Sequence, residues 1–426
     1  MSELVVKTVA PVLLSAAIVL STSQALAEPV SVVMSLSSEY SDNIRQTSEK
    51  EDDIVHTVAV GASYRNQEGM LDHTFEGLLG FETYQNNTYG NDLTVDLSWL
   101  GLIHLIPQRL IWRFSENLRD TRQSSLRPNT PDNRERVNFF STGPMYVLPI
   151  TNADRLQFQA NYARTDYEES SQIDTYRYSG SAGWHHLTPR LLNVSLTGAL
   201  EQVYYDNDVE LTNRSVALGL SKAHEFLDWR VEGGYAVTEA DQFGGKNEYD
   251  GLEGEVSLRY QMSTDGQLNL FASHQLTDTS SQFSVLIFDL PFTFSMQQVV
   301  RLTVYEAGYR QQLTSRDQLY LSAARRYQEF ETTGETEEID SFSARWNHQF
   351  SPMISGYLFG TYEYRRYSEF DREDNEREIG FGLQANLYRN LELEGFVALR
   401  NQTSDDRLYD YDEMRIGVKA TYYPRY

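Results

Sequence analysis

The sequence predicts an all-β fold, a closed antiparallel transmembrane β-barrel of about 20 strands, with about 18 as the lower bound. Three observations predict it. Apolar and polar residues alternate along almost the whole chain, short turns alternate with longer acidic loops, and no stretch resembles an apolar membrane helix. The 28 tyrosines and 20 phenylalanines are also unusually many for a chain whose mean hydropathy is -0.50.

Alternation with a period of two residues is clearest in three segments. In residues 93–99 (LTVDLSW) the odd positions are apolar and the even positions polar, and residues 252–260 and 414–420 repeat the pattern. Successive side chains of a strand point to opposite faces of the sheet. Each segment is therefore predicted to form a strand with one apolar and one polar face.

Two classes of connection alternate between the predicted strands. The short class is rich in Gly, Pro, Asn and Asp, as tight turns require; it comprises residues 66–69, 187–190, 263–266, 314–317, 351–352 and 389–390. The long class is mostly acidic; it comprises residues 42–53, 120–135, 331–338, 368–376 and 404–410. Outer-membrane barrels have short periplasmic turns and longer extracellular loops, so the two classes predict an orientation.

A soluble β-sandwich would also alternate, but it would bury large aliphatic residues on its apolar face. Here that face mixes Leu and Val with Gly and Ala, for example Gly356 and Ala272, while the polar face carries Arg and Glu at mid-strand. A sheet survives in lipid only when it closes on itself, because every backbone group must pair internally. Aromatic residues near strand ends predict interfacial girdles: Trp99, Trp112, Trp184, Trp229, Trp346, Tyr362, Tyr364 and Tyr422.

The N-terminus predicts export. Lys7 precedes an apolar run over residues 8–20, and Ala25-Leu26-Ala27 forms an A-x-A cleavage site. We expect residues 1–27 to be a signal peptide and residues 28–426 to be one barrel domain. The chain has no cysteine, so disulfides do not hold it together.

Charge and the C-terminus predict the partners. A net charge of -25 repels phosphates, which argues against nucleic acid. A transmembrane barrel contacts outer-membrane lipids and lipopolysaccharide. The last strand, residues 418–426, carries alternating apolar or aromatic residues and ends in Tyr426. It resembles the terminal signature by which outer-membrane barrels reach the barrel assembly machinery, which we therefore expect as a partner.

One local stretch carries a family resemblance. Residues 40–44 (YSDNI) precede an acidic first loop, and alternation without a plug domain follows to the end of the chain. This arrangement resembles the β-barrel porins associated with exopolysaccharide and envelope export systems. The resemblance implies a passive outer-membrane channel, with a secreted polysaccharide as one cargo and polysaccharide export components as partners. A general small-solute nutrient porin is the alternative.

The apolar face of each strand fixes which side chains face the lumen. The predicted lining residues are Arg113, Arg136, Arg177, Arg259, Arg345, Arg400, Arg415, Glu253, Glu255, Tyr357 and Phe359. Two readings stay open: these residues line a water-filled pore and contact solutes, or they pair across strands and stabilise the barrel. A barrel of this size is too wide for its side chains to fill.

Residues 282–294 (QFSVLIFDLPFTF) are strongly apolar although they fall in the acidic loop class. An apolar loop is unfavourable in water. We expect it either to fold into the lumen as a constriction or to form strands that project above the membrane. The candidate constriction residues are Phe283, Leu286, Phe288 and Phe292.

The sequence gives no sign of catalysis. His185-His186 is the one histidine cluster, and adjacent strand residues face opposite sides, so the pair cannot easily share a metal. The G-x-S-x-G motif is absent from the sequence. We predict no catalytic, metal or cofactor residues. A barrel enzyme of the lipase or protease class is the remaining alternative.

Overall fold

The barrel closes on itself in a computed structural model that describes residues 30–124, 126–168, 173–242, 245–278 and 299–424. Within these residues one antiparallel sheet contains 20 strands, and β1 pairs with both β2 and β20. The predicted fold class is confirmed. The predicted signal peptide lies outside the described residues, so cleavage after Ala27 stays a prediction.

Each strand pairs with its neighbours in chain order around the barrel. The strands are β1 Ser31–Ser41, β2 Asp53–Asn66, β3 Leu71–Tyr84, β4 Asp92–Ile106, β5 Leu110–Arg122, β6 Arg134–Pro149, β7 Asp154–Tyr167, β8 Thr175–Leu187, β9 Asn193–Tyr205, β10 Glu210–Lys222, β11 Leu227–Gln242, β12 Gly245–Ser263, β13 Gly266–Asp278, β14 Val299–Gln312, β15 Asp317–Phe330, β16 Thr336–Ser351, β17 Ile354–Tyr367, β18 Arg372–Tyr388, β19 Leu391–Ser404 and β20 Tyr411–Tyr422.

The two classes of connection lie at opposite ends of the barrel, as predicted. Several strands nevertheless run further into the loop class than the sequence indicated. Residues 336–338 belong to β16 and residues 372–376 to β18. These segments carry charged residues at adjacent positions, which hides the alternation, yet their backbone groups still pair with the neighbouring strands.

The outward face carries exposed apolar side chains. Leu36 is 57% exposed, Val58 56% and Val418 61%, exposures that lipid accommodates and water does not. Trp112, Trp184 and Trp346 lie on this face near the short turns. The residues predicted for the girdles all point outward: Trp99, Trp112, Trp184, Trp229, Trp346, Tyr362, Tyr364 and Tyr422. The prediction of a strand-end position was wrong for Trp99, which is the middle residue of β4. No helix among the described residues has the length and apolar character needed to cross a bilayer.

The seam between β1 and β20 is fastened at its loop end by the stretch that carries the family resemblance. The Ser41 hydroxyl donates to Glu413 at 2.7 Å, and the Asn43 side-chain amide donates to the carbonyl oxygen of Asp412 at 3.0 Å. Asp42 accepts from the backbone N–H of Met414 at 2.6 Å. Residues 41–43 therefore help to close the barrel.

Asp42 stays charged in this seam. Partial burial alone would raise the pKa of its carboxyl group, but hydrogen bonds from the Lys50 ammonium, at 2.9 Å, and from the Met414 N–H hold the pKa below its usual value. An ionised carboxylate makes the stronger acceptor for both donors.

Two of the short turns share one construction. Thr151 and Thr314 donate hydroxyl hydrogen bonds to Asp154 at 2.7 Å and to Asp317 at 2.5 Å, respectively. A histidine of the next strand lies within hydrogen-bonding distance of each carboxylate: His186 at 2.8 Å and His348 at 2.7 Å. The Thr–Asp contacts stabilise the turns, and the Asp–His contacts connect β7 to β8 and β15 to β16.

The absence of native cysteine makes the orientation testable by single-cysteine labelling. Thr264→Cys places the thiol in the short turn between β12 and β13, and Glu369→Cys places it in the loop between β17 and β18. A membrane-impermeant maleimide should label only the Glu369→Cys variant on intact cells. The Thr264→Cys variant should react only after the cells are permeabilised; its labelling on intact cells would reverse the orientation.

Candidate functional site: the lumen

The inward face is the polar face of most strands. In β17 Leu358 and Tyr362 point outward, 45% and 37% exposed, while Glu363 and Arg365 lie on the other face. Because paired residues on adjacent strands point to the same side of the sheet, the pairing registers identify the inward residues of every strand. Ten of the eleven predicted lining residues lie on it: Arg113, Arg177, Arg259, Arg345, Arg400, Arg415, Glu253, Glu255, Tyr357 and Phe359. Contact between any of them and a solute stays a prediction.

The prediction for Arg136 was wrong. Arg136 lies on the opposite face of β6, where it pairs with Asp120 at 2.9 Å and with Glu168 at 3.6 Å. The start of β6, residues 134–140 (RERVNFF), has polar residues in both phases, so the alternation there is ambiguous. The register with β5, in which inward Arg113 faces Gly143, puts the odd residues of β6 inward.

The extracellular half of the lumen contains a charge network on β1 and β17–β20. Its members are Glu39, Glu363, Arg365, Glu376, Glu378, Arg400, Glu413 and Arg415. Arg400 contacts three carboxylates: those of Glu378 at 2.6 Å, Glu376 at 3.5 Å and Glu413 at 3.8 Å. Arg415 shares Glu378 with Arg400 and lies 3.4 Å from Glu39.

This network links five neighbouring strands side by side. The side chains of Arg365 and Arg400 are only 7% and 18% exposed, so little water screens their contacts. Charges in such a place persist because they pair with one another. Here the stabilising role predicted for the lumen charges fits the geometry.

The end of β13 leaves the wall and crosses the lumen. Pairing between β12 and β13 stops at Gly254 and His274. Beyond that point Asp278, 4% exposed, accepts hydrogen bonds from Arg177 of β8 at 2.7 Å and from Tyr205 of β9 at 3.0 Å. Three strands separate β9 from β13 in the sheet, so this contact spans the interior of the barrel.

An apolar cluster lies beside the crossing contact. It consists of Val203, Tyr205, Val209, Leu211, Ala240, Leu276 and Val299. The cluster joins strands β9–β11 to β13 and β14. The extracellular mouth is therefore packed on this side.

A second segment crosses the mouth from β5. Pairing between β4 and β5 ends at Asp96 and Arg119, and the chain beyond it reaches β18. There the Arg372 guanidinium donates to the carbonyl oxygen of Leu126 at 3.1 Å, and Arg372 is itself held by Asp374 at 2.5 Å. The two crossing segments narrow the mouth from different sides.

The predicted constriction residues Phe283, Leu286, Phe288 and Phe292 lie outside the described residues, so their role stays a prediction. The residues that flank this segment are described. Asp278 and Val299 are both buried inside the mouth. The crossing segments around Leu126 and Asp278 were not expected from the sequence. The point at which a strand stops pairing with the strand beside it leaves no periodic pattern in the sequence.

The periplasmic half of the lumen is more open. The Arg230 and Arg259 side chains are 56% and 66% exposed, far more than the arginines of the charge network. A cavity of about 730 Å³ lies beside them and is also lined by Glu255 and Phe271. Charges in this half are accessible from the periplasm.

Three inward aromatic residues on β17 and β19 form what we call the aromatic strip: Tyr357, Phe359 and Phe396. Each ring lies where a side chain on the neighbouring strand would stand. A Cβ at Gly382, Gly380 or Gly417 would fall 2.3 Å from the ring of Tyr357, Phe359 or Phe396, respectively. The rings therefore lie flat along the wall, and glycines at these positions permit it.

One ring of the strip is covered. The Arg345 guanidinium lies 4.0 Å from the centre of the Tyr357 ring, and the Tyr357 hydroxyl donates to Glu394 at 2.5 Å. Tyr357 is 7% exposed, whereas Phe359 and Phe396 are half-buried. Phe396 was not singled out from the sequence, although the alternation of β19 places it inward.

The histidine pair faces two ways, as adjacent strand positions must. His186 points outward to Asp154, and His185 points into the lumen as the register partner of Arg155. In the part of the chain that the structure describes, no group of three or more His, Cys, Asp or Glu residues could hold a metal ion.

Comparison with known proteins finds a match between the C-terminal strands and the model of a porin family. The family model described as "Putative beta-barrel porin 2" matches residues 305–423, from β14 to β20. None of the curated proteins matches the chain. The match concerns the strands that carry most of the charge network and the whole aromatic strip.

Three solved structures that resemble the chain are each distant from it in sequence. The siderophore receptor PirA from Pseudomonas aeruginosa is 10% identical, with 94% of this chain and 81% of that chain covered and a TM-score of 0.47. OpdK from the same organism, solved with vanillate, is 10% identical, with 94% and 100% covered and a TM-score of 0.42. A loop L8 deletion mutant of OmpT from Vibrio cholerae is 10% identical, with 93% and 99% covered and a TM-score of 0.37.

The closed barrel, its apolar outer face and the porin family match lead to one conclusion. The chain is a porin-like β-barrel of the bacterial outer membrane.

The charge network should be necessary for stability. Arg400→Ala leaves Glu376, Glu378 and Glu413 without their shared partner, which should cost about 3 kcal/mol in the free energy of unfolding. The lowered stability would appear as unfolding at a lower urea concentration in detergent, followed by gel mobility.

Arg259→Ala is the matched control for this experiment. Its side chain is 66% exposed and its one carboxylate contact, to Asp228, is 3.9 Å long, so the loss should be about 1 kcal/mol or less. Equal losses for the two variants would contradict a stabilising role specific to the network.

Proposed function

We propose that this barrel is a passive channel through which a polysaccharide leaves the periplasm, and that it catalyses no reaction. The observation that carries the proposal is the aromatic strip on the lumen wall. Its half-buried rings, Phe359 and Phe396, lie flat over Gly380 and Gly417. A ring that lies flat along a wall offers a face to a molecule that passes it.

Sugar rings suit such a surface. One face of many sugar rings consists of C–H groups, which bury well against an aromatic face. Arg345 and Glu394 lie next to the strip and can exchange hydrogen bonds with sugar hydroxyls. An apolar face flanked by donors and acceptors matches the mixed surface of a polysaccharide.

Beyond Arg155 and His185 at the periplasmic rim, the periplasmic half of the opposite wall is neutral and polar. The inward residues in the periplasmic half of β7–β9 include Gln157, Gln159, Asn161, Ser179, Ser181, Ser195 and Thr197. Short neutral side chains form hydrogen bonds that are individually weak. A channel must bind its cargo weakly and at many places so that the cargo can leave, and this wall meets that requirement.

Passage to the outside requires the crossing segments to move. The contact of Asp278 with Arg177 and Tyr205 and that of Arg372 with Leu126 both lie in the extracellular mouth. A mouth that is narrowed outside and open to the periplasm fits a solute that enters from the periplasm. It suits a nutrient porin less well, because nutrients enter from the outside.

The proposal predicts that soluble polysaccharide blocks the ion current of the barrel in planar bilayers. Phe359→Ala together with Phe396→Ala should weaken the block about tenfold, since each aromatic contact contributes about 0.5–1.5 kcal/mol beyond buried area. The current without polymer should remain stepwise and should need no energy source.

A double variant on the outward face, Phe342→Ala with Phe381→Ala, serves as the control, because these side chains are 47% and 48% exposed to lipid. It should leave the block unchanged. Unchanged current with every polymer, together with free passage of small sugars, would favour a nutrient porin. Reproducible hydrolysis of lipid or peptide by the pure protein would overturn the claim that it is no enzyme.

A further inference from the structure

A cavity at the periplasmic rim has a chemistry that the aromatic strip does not explain. We call it the entrance pocket. It has a volume of about 680 Å³ and lies inside the barrel, between the turns that follow β4, β6, β8 and β10. Its wall contains two arginines, Arg109 and Arg155, the imidazole of His185, and the neutral polar residues Gln108, Asn193 and Ser221.

The entrance pocket has one carboxylate in its wall, that of Asp154, and this carboxylate already has hydrogen-bond partners. Asp154 accepts from Thr151 at 2.7 Å and from the Trp184 indole at 3.2 Å, and it lies 2.8 Å from the His186 ring nitrogen. Its strand parity directs it to the outward face, away from Arg155. Asp154 therefore does little to neutralise the basic groups of the pocket.

Arg155 and His185 lie together on one wall of the pocket. Arg155 and His185 are direct register partners on β7 and β8, so their side chains stand side by side on the inward face. Nδ1 of His185 is buried and has no hydrogen-bond partner among the described residues. A Cβ at Gly183 would come within 3.3 Å of the His185 ring, so glycine leaves room for the ring in this orientation.

We propose that the entrance pocket binds an anionic group, the carboxylate of an acidic sugar unit, as it enters the barrel from the periplasm. The proposal rests on the proposed function and names its substrate class. Arg155 provides a planar pair of donors that matches a carboxylate. Asn193, Ser221 and Gln108 line the same space and can bond the neighbouring sugar hydroxyls.

The position of the pocket gives it a role in selection. The chain carries a net charge of -25, which by itself repels an acidic polymer. A basic pocket at the periplasmic rim offsets that repulsion where the polymer must first thread. In the adjoining 730 Å³ cavity, by contrast, Arg230 pairs with Glu232 at 2.6 Å, so Arg155 of the rim, which has no ion pair among the described residues, distinguishes the entrance pocket.

Binding can be measured without any channel activity. Titrated calorimetrically into the detergent-solubilised barrel, hexagalacturonate should bind more tightly than neutral maltohexaose. Arg155→Gln should weaken hexagalacturonate binding about tenfold, because it removes the charge-assisted pair of donors. Binding of maltohexaose should not change.

Arg389→Gln is the matched control, since Arg389 lies in the turn between β18 and β19 and outside the pocket wall. It should bind hexagalacturonate as the native protein does. Equal affinity for the two sugars, or an equal loss of hexagalacturonate affinity in the two variants, would contradict the proposal that the entrance pocket binds a carboxylate. The channel proposal would then still stand, because polymer block of the current and its dependence on Phe359 and Phe396 are measured separately.

Discussion

Backbone hydrogen bonding in lipid is the constraint on which the rest of this structure depends. Without water to bond them, the N–H and C=O groups of a membrane-spanning sheet must all find partners in the sheet. The pairing of β1 with β20 meets this condition and removes both edges. Closure then divides the two faces of the sheet between lipid and lumen: the outward face carries the exposed apolar side chains, and the charge network lies in the lumen.

The inward charges follow from closure, but they have different roles in the two halves of the barrel. In the extracellular half they pair within the charge network, where Arg400 alone contacts three carboxylates. In the periplasmic half Arg230 and Arg259 stay largely exposed. One set of residue types thus stabilises one end of the barrel and remains available to solutes at the other.

The strands and the faces of their side chains could be predicted from the sequence, because a strand with one apolar and one polar face shows directly as alternating apolar and polar residues. Leu93 to Trp99 and Met414 to Ala420 needed no tertiary information. Arg136 was misplaced because polar residues occupy both phases at the start of β6, and only the register with β5 decides between them. The seam contacts of Ser41 and Asn43 join residues about 370 positions apart, which no local pattern encodes.

The crossing of the lumen by Asp278 was equally hidden, since it depends on β13 leaving β12 beyond His274. The aromatic strip depends on a different kind of information. Phe359 lies flat because its cross-strand neighbour is Gly380, a pairing that only the register supplies. Lumen chemistry therefore follows from pairs of residues on adjacent strands more than from single residues.

Passive passage of a polysaccharide is the central claim, and efflux from proteoliposomes tests it most directly. Vesicles that hold the purified barrel and a fluorescently labelled acidic polysaccharide should release the polymer down its concentration gradient with no energy source. Asp278→Ala should speed release, because it removes the contact with Arg177 and Tyr205 that crosses the mouth. Retention of the polymer by both proteins, while small sugars escape, would contradict the account.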